Sequence, residues 1–391
     1  MTKTITIFAL LFLTLALTTN ASAQQEIQIL KGFEPGQAKP IWVSMSGFTG
    51  EAAQVLQFDL YVQGFGFTNA EAAQYLISGS NNGNLQGRAT DRFNKSTLVS
   101  KAYSGASLRR QAHAFADDFV NAVPQHKGIA LTQIAFKHDA GRSSEIYTSD
   151  FDGHNASAVT MDNVIVAAPC WVPGRKELYY TSYKLNHVDI FHQDLLTGAR
   201  RPFARHGGSN MSPAVSPDGT KVAMILSKDG WTDLYVCNAD TEGSNLRRLT
   251  RSPEDESSPC WSPDSKWICF AAKLKERRSL CKISPSGGEI QRIPTVGVLN
   301  PTEPDWSPDG KWIVFTAMMG NFEICVVPPQ GGPVVELVPG EDPSWAPNSR
   351  TVVFARRTGG GRSLSLLDVP TKQMKDVSRI SGSNSQPSWA K

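Results

Sequence analysis

The sequence predicts a mainly β protein in which a small N-terminal α/β domain precedes a six-bladed β-propeller. Three observations carry this: a Pro-x-Trp tripeptide recurs, an apolar triplet follows it at a fixed distance, and Pro-Asp-Gly or Gly-Gly punctuation separates short β-rich runs. The composition agrees. The 391 residues include 32 Gly, 24 Pro and 9 Trp, and only 19% are charged, which disfavours disorder and long helical coiled coils. Lys and Arg total 39 against 36 Asp and Glu, with no basic block, so no nucleic-acid partner is expected.

The chain opens with Lys3, an apolar run from Ile5 to Leu17, then Ala21-Ser22-Ala23-Gln24. Charge, apolar core and small-x-small site together read as a signal peptide, residues 1–23, cut after Ala23. The apolar run falls well short of the ~20 residues that span a bilayer. No further run of 18 apolar residues follows, so a periplasmic chain without direct membrane insertion is expected. Residues 24–32 form a short segment available to a partner.

Residues 33–124 lack the repeat and read as an α/β domain. Pro40–Phe48, Tyr75–Gly79, Leu85–Asp91 and Thr97–Tyr103 have strand character, and Glu51–Gln63 reads as a helix. A second helix follows Ser107, a suitable N-cap, with Leu108, Ala112, Phe115, Phe119 and Val123 on one face. Pro124 to Gly128 is a linker.

The propeller, residues 129–391, is read from the prolines of the repeat. These are Pro169, Pro213, Pro259, Pro304, Pro343 and Pro387, spaced 44, 46, 45, 39 and 44 residues apart. A period near 44 with four short strands per unit is the signature of a propeller blade. Trp171, Trp261, Trp306, Trp345 and Trp389 are expected to pack between blades, with Val215 replacing the Trp in one unit. Ile134-Ala135-Phe136 matches the apolar triplet, yet its unit lacks a first strand, while Pro387-Ser388-Trp389 is a first strand with nothing after it. The C-terminal strand is therefore expected to complete the first blade and remove a bare sheet edge. Six cysteines fall on predicted strands as buried thiols, and Cys260 with Cys269 is the one pair placed to face across a hairpin.

These features resemble the TolB family of the periplasmic Tol-Pal system. The leader, the helix-terminated small domain, Thr132-Gln133-Ile134-Ala135-Phe136 and repeats such as Pro304-Asp305-Trp306-Ser307-Pro308-Asp309-Gly310-Lys311 carry the likeness, which spans nearly the whole mature chain. It implies a non-enzymatic scaffold joining a Pal-like outer-membrane and peptidoglycan lipoprotein to a TolA-like inner-membrane protein, in support of outer-membrane integrity and envelope constriction at division. The Pal-like partner would meet the propeller mouth, where the loops before the repeat prolines place Ser212, Ser258, Glu303, Asp342 and Gln386, with Asn210, Glu256, Asn300 and Glu341 nearby. The TolA-like partner would meet Gln24, Gln25, Glu26, Ile27, Gln28 and Ile29. A double change, Glu303→Arg with Asp342→Arg, is expected to weaken partner binding and leave the ring folded. A monomer is expected.

The runner-up reading is a propeller module for another periplasmic ligand. A peptidase would need a Gly-x-Ser-x-Gly elbow, which the sequence lacks. A calcium-dependent propeller enzyme would need a ring of oxygen ligands, and the positions before the repeat prolines supply two carboxylates. Asp150-x-Asp152-Gly153-x-Asn155 reads as a turn, and the scattered histidines form no zinc pattern, so no catalytic residue, metal or cofactor is assigned.

Overall fold

The N-terminal sheet is built from β1 (Ile41–Ser46), β2 (Phe65–Phe67), β3 (Tyr75–Ser80), β4 (Leu85–Asp91) and β5 (Thr97–Tyr103), with in-out alternation of side chains clearest on β4. The computed structural model describes residues 34–240, 243–274 and 277–391. The expected leader and the 24–32 segment lie outside the described residues. The sheet order is β2-β1-β3-β4-β5, with β1 parallel to both neighbours and the other pairs antiparallel. Helices α1 (Gly50–Tyr61) and α2 (Leu108–Ala122) pack together. Ser107 Oγ accepts the N–H of Arg110 at 3.3 Å, so it caps α2 as its side chain suggests. Gly87 on β4 admits the Phe115 ring: a Cβ there would come within 2.6 Å of it.

The structure adds two features to the sequence reading of this domain. Strand β2 has three residues, too few for an alternation to register. On α2, Gln111 and His113 are buried with Ala112, Phe115 and Phe119. Gln111 Oε1 accepts the N–H of Leu85 at 2.8 Å, which satisfies one of these buried polar groups.

Six four-stranded sheets form the propeller. Their inner strands are Ser383–Trp389, Val166–Trp171, Asn210–Val215, Glu256–Trp261, Thr302–Trp306 and Glu341–Trp345, for blades 1 to 6. Each neighbours the next in a closed ring around the axis. Blade 1 is the split one: Ser383–Trp389 pairs antiparallel with Gln133–Ala140, placing Trp389 opposite Ile134. The ring thus closes as its repeat predicts.

The five repeat tryptophans are buried. Trp261 lies among Ile225 and Leu234 of the preceding blade and Phe270 of its own, so it fills the space between two sheets. Where Val215 replaces Trp, the Tyr179–Phe203 edge-to-face pair, with centroids 4.7 Å apart, occupies that gap. All six cysteines are free thiols; Cys260 and Cys269 sit directly opposite across two strands, and burial raises the Cys260 thiol well above its ordinary value.

The α/β domain joins the propeller through one shared core that runs from Val43 and Phe119 to Val353, Leu366 and Trp389. Polar fasteners edge it: Thr351 Oγ1 donates to the carbonyl of Val62 at 3.1 Å, and Gln373 Nε2 donates to that of Phe65 at 3.0 Å. Even the linker is held, since Asn121 Oδ1 accepts the N–H of Gly128 at 2.9 Å, and just beyond it Asp117 accepts the N–H groups of Ala130 and Leu131. All these propeller contacts come from blades 6 and 1. The two polar fasteners on blade 6, Thr351 and Gln373, open the strands that follow the turns after its first and third strands, and those turns lie at one end of the disc. The Asp150 to Asn155 stretch is a turn, closed by Asn155 Nδ2 donating to Asp150 at 2.6 Å. Among the described residues, no helix is long and apolar enough to cross a membrane.

Candidate docking face of the propeller

Each inner strand contains a bulge where pairing to its neighbour shifts register. At the bulge stands a non-glycine residue in the left-handed region: Ala168, Ser212, Ser258, Glu303, Asp342 or Gln386, with φ from 48° to 56°. Each precedes a repeat proline. Such a conformation costs about 1 kcal/mol or more per residue, so compensating bonds are to be expected.

The bonds run from blade to blade. Glu303 Oε2 accepts the N–H of Asp342 at 3.0 Å and the hydroxyl of Thr316 at 2.7 Å. Asp342 Oδ2 in turn accepts the N–H of Gln386 at 3.0 Å, and Gln386 Oε1 accepts the N–H of Ala168 at 2.9 Å. Ala168 has no acceptor to offer, and Thr181 Oγ1 replaces it by accepting the N–H of Ser212 at 3.1 Å. A second tier lies three residues on. Asp305 Oδ2 accepts the N–H of Trp345 at 2.7 Å, Ser344 Oγ that of Trp389 at 3.2 Å, and Cys170 Sγ that of Val215 at 3.4 Å. Lys391 Nζ reaches both Asp305 oxygens at 2.7 Å. Among the described residues, Ser212 and Ser258 make no such side-chain clasp.

The nine residues expected at the mouth are therefore unequal. Eight of them sit on the bulged inner strands, and Asn300 stands in the bend before one of these strands. Asn210 is fully buried and ties its own loop to the preceding blade, donating to the carbonyls of His206 and Gly208 and to that of Val188 in blade 2. Glu341 is buried against Arg357 and Arg362. Glu256 is buried beside Ser252, and burial pushes its carboxyl up to about 7. Burial and the neighbouring Glu303 charge raise Asp342 to about 8. Asn300 is exposed, and Ser212 and Ser258 are half-buried. Because Glu303 and Asp342 fasten consecutive blades, changing both to Arg would loosen the ring itself. The expectation of an intact fold in that double variant is corrected accordingly.

Past the bulges the channel widens into a cavity of about 430 Å³, lined by the Pro-x-Trp segments and by Pro173, Pro217, Pro263 and Pro308 of the following turns. It opens at the same end as the turns that meet the α/β domain. The opposite end carries the loops joining second to third strands and the approaches to the inner strands. There the sequence reading missed the most telling feature. Tyr183, Trp231, Leu274, Leu299, Met318 and Met319 are exposed, Trp231 by 54% and Leu299 by 58%. The signal was present, since an aromatic or methionine beside glycine, as in Asp229-Gly230-Trp231 and Met318-Met319-Gly320, is unusual in a hairpin loop that has nothing to bury. Beside Met318 a groove of about 330 Å³ runs between blades 5 and 6, with the Arg357 guanidinium 4.6 Å over the Phe322 ring.

A six-bladed ring closed by its C-terminal strand, fastened to an α/β domain at one end and apolar at the other, defines a two-domain propeller protein. A family model described as the TolB β-propeller domain matches residues 120–391, and the chain belongs to that family. It is similar to the Tol-Pal system protein TolB of Bordetella pertussis, 30% identical over 228 residues that cover 56% of this chain and 52% of the relative. It also resembles the TolB of Anaeromyxobacter dehalogenans strain 2CP-1, 33% identical over 157 residues, or 40% of this chain and 36% of the relative. The matched segments span between a third and about half the length of these relatives. The crystal structure of TolB from Acinetobacter baumannii superposes with a TM-score of 0.80 at 20% identity, covering 92% of this chain and 98% of the other, and so shares the fold.

Proposed function

We propose that this protein is a periplasmic, non-enzymatic scaffold of a Tol-Pal-type complex that links a Pal-like lipoprotein to a TolA-like inner-membrane protein. In this role it serves outer-membrane integrity and constriction of the envelope at division, and a cleavable leader ending at Ala23 delivers it to its compartment. The observation that carries the reading is the run of exposed apolar loop residues at the propeller end away from the α/β domain. An apolar patch around a rigid mouth is what a folded protein partner buries. The Pal-like lipoprotein docks there, over Tyr183, Trp231, Met318 and Met319, with Ser212, Ser258 and Asn300 supplying polar contacts. Glu303, Asp342 and Gln386 shape the mouth from within. Residues 24–32 bind the TolA-like protein.

Cross-linking in the periplasm, followed by capture of the full mature chain and of a version lacking residues 24–32, tests this. Both should recover the Pal-like lipoprotein, and only the longer form the TolA-like protein. If neither partner is recovered and a soluble ligand is retained, the scaffold reading fails in favour of a propeller module for that ligand.

A further inference from the structure

A polar cluster lies outside the channel, where a blade 1 turn enters between α1 and α2. Asp59 on α1, His113 on α2 and Asp152 in the turn are each no more than 5% exposed. One potential ligand atom from each lies within 4.8 Å of the other two. His113 Nδ1 stands 2.7 Å from Asp59 Oδ2, and Phe151 packs edge-on against the imidazole. The other ring nitrogen, Nε2, is buried with no hydrogen-bond partner among the described residues, and it faces Asp152 Oδ2 across 3.5 Å. Asp152 Oδ1 accepts the N–H of His154 at 3.2 Å, while Oδ2 also pairs with Arg109, which reaches Glu51 at 3.3 Å.

A carboxylate can only accept, so Nδ1 gives its proton to Asp59 and Nε2 keeps a lone pair aimed at a second carboxylate. Two such donors repel unless a cation lies between them. Two ligand atoms on a tetrahedral zinc-class ion, with bonds of about 2.0–2.1 Å, stand about 3.3 Å apart, close to the separation found here. A carboxylate behind the far ring nitrogen is the partner that a metal-ligating histidine ordinarily has, since it fixes the tautomer and strengthens the donor. Charge agrees with this. Asp152 and Glu51 share Arg109, and burial raises the Asp59 carboxyl above its ordinary value; a cation beyond the imidazole would keep that carboxyl ionised. A cavity of about 170 Å³, lined by Asp152, Glu51, Arg109 and Arg379 among others, adjoins the cluster and has room for water.

We infer that His113 Nε2 and Asp152 Oδ2 hold a zinc-class divalent ion at the domain junction, with Asp59 orienting the imidazole and water filling the remaining positions. One nitrogen with oxygen donors and no sulfur suits such an ion better than calcium or a thiophilic metal. The ion ties the blade 1 turn to α2 and so fastens the propeller to the α/β domain. Arg109 competes for the same Asp152 oxygen, and Glu51 is the carboxylate its guanidinium keeps when the ion enters. This inference does not depend on which partners the protein binds.

Calorimetric titration of zinc into the chelator-treated full mature chain tests it, with thermal midpoints read alongside. One ion per chain should bind and raise the midpoint, since a ligand of the native state alone stabilises that state. Asp59→Asn should weaken binding by about 10- to 100-fold, the usual effect of removing such a partner. Asp152→Asn should weaken it further, whereas Arg109→Gln removes the competitor and should tighten it. X-ray absorption of the zinc-loaded wild-type chain should show nitrogen and oxygen neighbours without sulfur. The inference is overturned by an absence of bound zinc, by native affinity in Asp152→Asn, or by sulfur in the shell, which would put the ion on the cysteines. Should the variants fail to fold, the wild-type stoichiometry and absorption spectrum decide alone.

Discussion

The two halves of the ring use the same backbone position for different work. In blades 5, 6 and 1 the residue before the repeat proline is Glu303, Asp342 or Gln386, and each side chain accepts an N–H from the next blade. In blades 3 and 4 it is Ser212 or Ser258, which clasp nothing among the described residues. The outer loops divide in nearly the opposite way, with blade 5 common to both groups. Exposed apolar side chains stand on blades 2 to 5, while the corresponding loops of blades 1 and 6 are built around Gly141 and Gly359-Gly360. The clasped half contains the seam where a strand from the chain's end completes blade 1. Blades 3 and 4 are joined by continuous chain and need no such seam. Where closure is non-covalent, side chains are committed to holding it; opposite the seam they remain available to a partner.

Trp389→Ala should separate these roles most strongly. It empties a buried site beside Phe151 and removes the Nε1 bond to Thr132 at 2.8 Å. A loss of about 3–5 kcal/mol in denaturant unfolding is expected, in keeping with large aromatic deletions from cores. Gln386→Ala leaves the Ala168 N–H without its acceptor and should cost about 1–2 kcal/mol, whereas Ser258→Ala should stay within about 0.5 kcal/mol. Equal losses in these two variants would erase the distinction between the halves.

Asp342→Asn sharpens the comparison through pH. The native carboxyl lies at about 8 against an ordinary value of 3.8, so between those limits the folded protein holds a proton that the unfolded chain has released. Stability should therefore fall as pH rises from about 4 to about 8. The amide keeps an oxygen for the Gln386 N–H and carries no charge, so the variant should be the more stable at pH 8 and show a flatter profile. Equilibrium unfolding of both proteins at pH 5 and pH 8 checks this. A native profile that rises across the window would contradict it.

The repeat made the ring legible because Pro-x-Trp and the apolar triplet hold register even where Val215 replaces Trp. The same logic exposed the closing strand, since an orphan first strand and a blade without one complete each other. Strand β2 and the buried Gln111 and His113 were not legible. A three-residue strand has no period, and a polar residue on a helix does not announce that it has a partner. The clasps were hidden for a different reason. Residues before proline favour extended backbone, so nothing in the sequence signalled that these six would turn left-handed, or that Ala168, Ser212, Asp342 and Gln386 would aim their N–H groups at the previous blade. Without that turn, Glu303 and Asp342 read as ligand contacts.

The claim that binding lies opposite the seam is tested most directly by titrating the soluble domain of a Pal-like lipoprotein into Trp231→Ala and Gln386→Ala, with thermal midpoints measured in parallel. Trp231→Ala should weaken binding by about tenfold or more with an unchanged midpoint, as an exposed aromatic anchor would. Gln386→Ala should lower the midpoint and leave the affinity near native. Native affinity in Trp231→Ala, with weakened binding in Gln386→Ala at an unchanged midpoint, would place the contact on the clasped half and contradict the account.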